Sequence, residues 1–346
     1  MISQKRHLRA VFSVATLLLA QALPGATPAP LGFEKITMRG KTSGSNRVTL
    51  ISLGLARPSV GQYVVSGTSL NSEGRTILSF TGTPFSQGQF EQLQSPHFAK
   101  IVNGTNAGTV SEIIGNGENT VALADNIQDV VINGETKIKI YPYWTLATAF
   151  PAGAGLGSGL SSASADNITI LTATGSSQVY FFHSASGQWR RGTTNASNVK
   201  IPPGTGLMIT RKRSGDVQLA IAGEVLTSPV EVLVGGGATG SSSTMLGNPF
   251  PVPLPNLRLI GLHTGNSTTG MAGGLSSSSA DNLVVYDAVT SIPKTYYYQT
   301  SSGKWRSGIT DASDSSIPEG SSFVITRKSS RPPFNWLIPA PEMNLE

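Results

Sequence analysis

Two aspartates recur in nearly identical surroundings: Asp166 in GLSSASADN and Asp281 in GLSSSSADN, 115 positions later. Acid/base catalysis by two carboxylates requires both to flank one bond at a fixed separation. Here each aspartate is followed by Asn and an apolar run, a position where an Asx side chain commonly bonds its own backbone and starts a turn. The pattern therefore predicts a structural turn in each copy. It also predicts that Asp281→Ala costs about 1 kcal/mol of stability.

A calcium site in the second copy is the alternative to a turn. Hard cations take several oxygen ligands, and Asp281, Asp311 and Asp314 supply them there. The first copy has Asn195 and Asn198 at the aligned positions, which makes its charge weaker. We predict no other cofactor, because the sequence has no zinc-ligand spacing, no Cys and no G-x-S-x-G motif. The prediction is a protein that is not an enzyme.

Aromatic residues form the second recurring group. Each copy has an aromatic run, a Ser/Gly turn and a Trp, which is the pattern of an antiparallel hairpin with cross-strand aromatic pairs. The aromatic positions singled out are Tyr180 and Trp189 in the first copy, and Tyr296, Tyr298 and Trp305 in the second. They are interpreted either as the core of each module or as a flat platform that stacks on sugar rings. The platform would make the protein a polysaccharide-binding module.

These residues lie in an internal duplication, in which residues 159–212 align with residues 274–328. The shared frame is GLSSxSADN, an aromatic strand, SG[QK]WR, TxAS and IPxGxxxxITRK. A Gly-rich stretch near residue 235 follows the first copy. We divide the chain into a signal peptide at 1–26, an N-terminal β domain at 27–141, repeat module A at 142–227 and repeat module B at 228–346.

The composition and the turns favour strands throughout. Only 13% of the residues are charged, β-branched residues dominate the apolar runs, and no helical period persists. Asn-Gly pairs at 103–104, 116–117 and 133–134 predict type I′ hairpins. The predicted fold is all-β: an N-terminal β meander or barrel-like domain, followed by two duplicated antiparallel, sandwich-like modules. One short helix is allowed near TLATAF.

The N-terminus predicts export. Lys5, Arg6 and Arg9 precede a short apolar run and an A-x-A site at Ala20–Ala22, the order of a secretory signal peptide. Cleavage after Ala22 or Ala26 fits this pattern and leaves no transmembrane segment in the mature chain. The expected location is the periplasm, the outer-membrane surface or the extracellular space.

Removal of the signal peptide lowers the net charge, because three of the 25 Lys and Arg lie in it and 22 minus 19 leaves +3. The mature chain is therefore not predicted to bind nucleic acid. The remaining basic clusters, Arg211-Lys212-Arg213 and Arg327-Lys328 with Arg331, are interpreted as solvated strand ends rather than phosphate contacts.

The order of several short motifs resembles that of a known family. APLGF, VNGTNAG, EIIGNGENTVAL and YPYWTL precede two ADN…WR…G…ITRK modules, from about residue 30 to residue 336. This order is similar to that of an uncharacterised secreted β-rich family with many paralogues in Verrucomicrobia. The resemblance implies export and a β-rich architecture, and it carries over no catalytic residues.

Two functions follow from the sequence. The first is an exported, non-enzymatic structural or adhesive protein of the cell envelope or extracellular space, with cell-surface components as partners. The alternative is a polysaccharide-binding module that uses the repeated aromatic hairpins. Binding to a panel of polysaccharides would separate the two.

Overall fold

The computed structural model describes residues 29–42, 44–91, 95–171, 175–237, 240–286, 292–328 and 330–342. The predicted signal peptide lies outside these residues. The described chain is all-β, which confirms the predicted fold class. A short helix, α1 (Leu146–Ala149), forms within TLATAF, where Thr145 and Thr148 make a capping box.

The strands are short, and we number them in chain order. The first nine are β1 (Leu31–Met38), β2 (Arg47–Ile51), β3 (Gly61–Val64), β4 (Gly67–Leu70), β5 (Thr76–Ser79), β6 (His97–Ile101), β7 (Val110–Asn116), β8 (Thr120–Leu123) and β9 (Lys137–Pro142). They are followed by β10 (Trp144–Thr145), β11 (Asn167–Leu171), β12 (Ser177–His183), β13 (Gln188–Arg191), β14 (Thr194–Asn195), β15 (Lys200–Ile201), β16 (Leu207–Arg211) and β17 (Val217–Glu224). The last eight are β18 (Val230–Val234), β19 (Ser242–Gly247), β20 (Asn282–Tyr286), β21 (Pro293–Gln299), β22 (Lys304–Ser307), β23 (Thr310–Asp311), β24 (Ser322–Arg327) and β25 (Phe334–Ile338). Single turns of 3-10 helix lie at Gln128–Val130 and Pro151–Gly153.

The two repeats have the same strand arrangement. Module A contains a six-stranded antiparallel sheet in the order β14-β13-β12-β11-β16-β2 and a two-stranded ribbon, β1-β17. Module B contains a sheet in the order β23-β22-β21-β20-β24-β19 and a ribbon, β18-β25. In each module the ribbon and the large sheet enclose one apolar core. Of the apolar residues that follow ADN, Ile168, Leu283 and Val285 are buried in these cores, whereas Ile170 is half-buried against the core of module A.

This arrangement differs from the predicted domain boundaries. Strands β1 and β2 belong to the sheets of module A, and their apolar side chains, such as Met38 and Ile51, lie in its core. Module A is therefore formed by two segments of the chain, residues 31–56 and residues 144–225. Residues 61–142, which lie between these segments in the sequence, form a separate seven-stranded sheet. We call residues 61–142 the inserted domain. Alignment of the two repeats did not reveal that β1 and β2 belong to module A, because their sequences show no clear likeness to those of β18 and β19.

The inserted domain is a curled sheet in the order β3-β9-β6-β7-β8-β5-β4. Its two edge strands, β3 and β4, are consecutive in the chain, with Val65 and Ser66 between them. The backbone N–H of Val65 bonds to Thr136 near β9, and that of Ser66 bonds to Ser79 on β5. The sheet therefore curls until its edges approach each other, which gives the expected barrel-like form.

The Asn-Gly pairs do not form the predicted type I′ turns. Such a turn needs positive φ at both central residues, and none of the three Asn residues has it. The pair at 103–104 lies in the long loop between β6 and β7, whereas Asn116 is the last residue of β7, pairs with Val121 on β8 and is followed by a three-residue connection. The pair at 133–134 precedes β9, which pairs with β3 and β6 rather than with β8.

Modules A and B pack against each other reciprocally. Ile51 of β2 forms a bridge with Ser321, and the equivalent residue of β19, Leu246, forms one with Thr205. The N–H of Ser52 donates to Gly320 at 3.0 Å, and that of Gly247 donates to Gly204 at 2.8 Å. By repeat alignment and strand register, Ser52 is equivalent to Gly247, and Gly320 is equivalent to Gly204. The modules are thus related by a pseudo-two-fold axis, as in an isologous dimer interface.

Candidate functional site

The recurring aspartates are the centres of two matching buried ion pairs. The Oδ2 atom of Asp166 lies 2.9 Å from Nε of Arg211, and that of Asp281 lies 2.9 Å from Nε of Arg327. All four side chains are at most 2% exposed. A charge removed from water needs a partner of opposite sign, so each carboxylate is committed to its arginine.

Each carboxylate also joins distant parts of its module. The donors are the backbone N–H groups of Gly157 and Lys212 to Asp166, at 2.6 Å each, and of Ala272 and Lys328 to Asp281, at 2.8 Å each. These donors lie nine residues before each aspartate and 46 or 47 residues after it. The aspartates are structural, as expected, but they bond across the module instead of to their own backbone.

The GLSSxSADN motif forms the predicted turn in both modules. The N–H of Ala165 donates to the carbonyl of Ser161 at 3.0 Å, and Ala280 makes the same bond to Ser276 at 3.0 Å. In module A the Nζ atom of Lys212 donates to carbonyls of this turn. The ADN and ITRK motifs are therefore two halves of one structural unit.

Two of the basic residues are not solvated strand ends, contrary to expectation. Arg211 and Arg327 are buried, and the Arg327 guanidinium also lies 4.6 Å from the Phe334 ring centroid. The signal that could have identified them is their recurrence at a nearly constant distance after the aspartates. A buried acid and a buried base are each costly alone, so their joint repetition indicates an ion pair.

The aromatic residues proposed as a sugar platform lie largely in the module cores. Trp189 and Trp305 are 1% and 2% exposed, and Tyr180 and Tyr296 are also buried. The half-buried Tyr298 stacks on His263, with ring centroids 3.6 Å apart. A platform needs exposed ring faces, so this burial counts against the platform and agrees with the core interpretation.

The three aspartates proposed as calcium ligands are not brought together. Asp281 is enclosed with Arg327, whereas Asp311 is exposed and accepts from Lys304 Nζ at 2.7 Å. Hydrogen bonds from Lys304 and Ser313 hold the pKa of Asp311 well below its usual range. The third carboxylate, Asp314, pairs with Arg258 at 2.9 Å. Among the described residues, no group of three His, Cys, Asp or Glu side chains could hold a metal ion.

The structure contains a cleft that the sequence did not indicate. It has a volume of about 510 Å³ and lies where the inserted domain meets both modules. Its polar lining comes from Glu112, Asp125, Tyr143, Lys200, Glu231 and Thr244. Apolar side chains, including Ile170, Val232 and Leu246, complete the wall. Clefts between domains are the usual place for ligands, so this is the candidate binding site.

The polar groups of the cleft form short local networks. Lys200 Nζ donates to Glu112 and lies 5.8 Å from the Tyr143 ring centroid. The carboxylate of Asp125 accepts from Ser111 Oγ at 2.7 Å. Burial, followed by the charges of Glu112 and Asp125, raises the pKa of the Tyr143 hydroxyl. The cleft thus offers carboxylate acceptors beside ammonium and hydroxyl donors, the groups that bind a hydroxyl-rich ligand.

A buried polar cluster around Glu224 fixes the inserted domain to module A. The carboxylate of Glu224 accepts from Lys139 Nζ at 2.9 Å, from Tyr141 OH at 2.8 Å, and from the N–H and Oγ of Ser59. Although burial opposes ionisation, these hydrogen bonds lower the pKa of Glu224. The buried Lys100 donates to Ser228 between the modules, and burial lowers its pKa to about 7. Sequence reasoning missed this cluster because its members are far apart in the chain.

Comparisons of the chain with protein-family models, curated proteins and solved structures find no match. Within the described part of the chain, no helix has the length and apolar character needed to cross a membrane.

Proposed function

We propose that the protein is an exported, non-enzymatic structural or adhesive β-protein of the cell envelope or extracellular space. The supporting observation is that the aspartates repeated in the two modules are buried in ion pairs with arginines. Asp166 with Arg211 and Asp281 with Arg327 form closed ion pairs inside the modules. A duplicated catalytic or metal site would keep its carboxylates open to a substrate or ion, so the duplication is better explained by two copies of a stable structural unit.

Fractionation of cells that express the chain with a C-terminal tag tests export. We expect a shortened chain that begins after Ala22 or Ala26 and is found in the envelope or the medium. N-terminal sequencing of the purified protein would locate the cleavage. A full-length chain that stays in the cytoplasm would contradict the proposal.

Adhesion is tested with beads coated with the purified protein. We expect these beads to be retained on envelope preparations more strongly than beads coated with the heat-denatured protein. Equal retention of both would remove the adhesive role.

A second candidate function is polysaccharide binding at the cleft between the three units. The observation that favours it is the alternation of acceptors and donors around Glu112, Lys200 and Tyr143 beside an apolar wall. Sugars present both hydroxyls and apolar ring faces, and they suit such a lining. This candidate places the ligand away from Trp189 and Trp305.

Calorimetric titration with soluble polysaccharides tests this candidate. If a sugar binds, Asp125→Asn should weaken its binding about tenfold, the loss of one charge-assisted hydrogen bond. The matched control is Asp311→Asn, which changes an exposed aspartate outside the cleft lining. Equal effects of the two substitutions would exclude the cleft as the binding site.

A further inference from the structure

The outer edge of strand β1 is open. The carbonyl of Pro30 accepts from the N–H of Val225 at 2.8 Å. This bond shows which residues of β1 direct their backbone polar groups towards β17 and which direct them away. In an antiparallel pair every second residue directs its N–H and C=O away from the partner strand. In β1 these outward residues are Leu31, Phe33, Lys35 and Thr37. Among the backbone bonds of the described residues, none joins them to another part of the chain.

The corresponding edge in module B is bonded to the inserted domain at one residue. There the outward N–H of Glu231 on β18 donates to the carbonyl of Gly108 at 3.0 Å. Gly108 belongs to the β6-β7 loop of the inserted domain and lies against Pro229 and Leu337. The inserted domain thus bonds to this ribbon edge in one module, and the pseudo-two-fold axis leaves the equivalent edge of the other module without a counterpart.

The uncovered strand has an apolar outer face. Leu31 and Phe33 are 70% and 61% exposed. The only charged side chain on this face of β1 is Lys35, whose Nζ lies 5.9 Å from the Phe33 ring centroid. An exposed edge strand of eight residues with apolar side chains favours pairing with another strand.

We propose that β1 pairs antiparallel with β1 of a second copy of this chain, which joins two β1-β17 ribbons into one four-stranded sheet. The register that uses all four outward residues places Phe33 opposite the partner's Lys35 and Leu31 opposite the partner's Thr37. On the exposed face a cation then lies beside an aromatic ring on both sides of the two-fold axis, and no like charges are opposed there. On the other face the same register places Glu34 opposite the partner's Glu34 on the axis, and the pKa of this buried carboxyl, raised to about 7, limits the repulsion below neutral pH.

A second copy suits this edge better than an unrelated partner does. The edge needs backbone donors and acceptors at the spacing of a strand, and β1 itself supplies them when it is turned about a two-fold axis. Such pairing closes after two copies, because neither β1 keeps a free edge. This inference goes beyond the proposed function and does not depend on it.

Sedimentation equilibrium of the full chain, as processed by the cell, tests the proposal. We expect a monomer–dimer equilibrium that stops at two copies. A monomer at all concentrations overturns the proposal, as does open-ended association. Binding to lipid vesicles without dimer formation also overturns it and points to a membrane contact of Leu31 and Phe33.

Two substitutions at one position test the register. Phe33→Lys places like charges opposite the partner's Lys35 and should weaken the dimer at least about tenfold. Phe33→Glu places opposite charges there and should keep a dimer that weakens with salt. The control is Leu160→Lys, at an apolar residue that is 70% exposed, compared with 61% for Phe33, but lies on the serine turn of module A.

Equal loss of the dimer with Phe33→Lys and Phe33→Glu would overturn the proposed strand register, because a nonspecific apolar contact loses as much with either charge. Dimer loss with Leu160→Lys would likewise contradict it. Thermal unfolding of each variant confirms that the fold is kept, since all of these side chains are exposed.

Discussion

Asp166 and Asp281 show how one side chain can hold a β module together. Each carboxylate accepts two backbone N–H groups and also pairs with an arginine in the core. Removing one partner of such a pair leaves the other charge buried without compensation. The energetic consequence is therefore larger than that of a lost turn hydrogen bond.

Asp281→Ala should cost about 3–5 kcal/mol of unfolding free energy, because it leaves the Arg327 guanidinium buried and unpaired. This replaces the value of about 1 kcal/mol expected for a simple turn. Urea unfolding measures the change. Asp311→Ala is the control and should leave stability nearly unchanged, since its ion pair is exposed.

Replacing both partners should be milder than replacing one. Asp281→Ala combined with Arg327→Met should be more stable than Asp281→Ala alone, because the methionine carries no charge to desolvate. If the single and the double variant are equally unstable, the buried guanidinium is not the cause of the loss.

Glu34 gives the protein a distinct dependence on pH. Burial, with a contribution from Glu319, raises its pKa to about 7, although the N–H of Gly54 donates to it at 2.9 Å. Between pH 4.5 and about 7 the folded state then holds a proton that the unfolded state has lost. Stability contributed by Glu34 is thus present at low pH and is lost as the pH rises through about 7.

Urea unfolding of wild type and Glu34→Gln from pH 4 to pH 8 measures this contribution. The amide cannot ionise, so the variant should gain up to about 3 kcal/mol relative to wild type as the pH rises. A difference that is independent of pH would show that Glu34 titrates alike in the folded and unfolded chains.

At the scale of elements, the sequence predicts turns, hairpins and short helices better than it predicts which distant strands pair. The serine turn, the aromatic hairpin and the short helix at TLATAF are written in contiguous residues, and all three form. Strands β1 and β2 pair with β17 and β16, more than 150 positions later. No local pattern records such pairings, so the interruption of module A and the cleft beside it became visible only in the structure.

The hairpin of β21 and β22 contains one buried aromatic residue, Trp305, and one half-buried aromatic residue, Tyr298. Trp305 is buried in the module B core, so Trp305→Ala should cost about 3–5 kcal/mol. Tyr298→Ala, at the half-buried neighbour that stacks on His263, should cost less. Thermal unfolding compares the two variants, and a smaller loss for Trp305→Ala would contradict its placement in the core.

At the scale of the whole molecule, reciprocal bonds make modules A and B one packing unit. The turn at Gly204 of module A bonds to β19 of module B, and the turn at Gly320 of module B bonds to the residue after β2 of module A. The side chain of Ser52 adds buried hydrogen bonds to Asn248 and Ser321 across the same interface. If one module unfolds, the backbone and hydroxyl groups of the other module that bond across this interface lose their partners.

Hydrogen exchange shows whether the two modules unfold together. Asp281→Ala perturbs module B, yet it should speed exchange in β11 and β16 of module A as much as in β20 and β24, because shared bonds couple the two cores. Mass spectrometry of peptides from these strands measures both in one experiment, and Asp311→Ala is the control with unchanged exchange. If exchange rises in β20 and β24 while β11 and β16 keep wild-type protection, the modules unfold independently and the pseudo-two-fold interface couples them too weakly to form one cooperative unit.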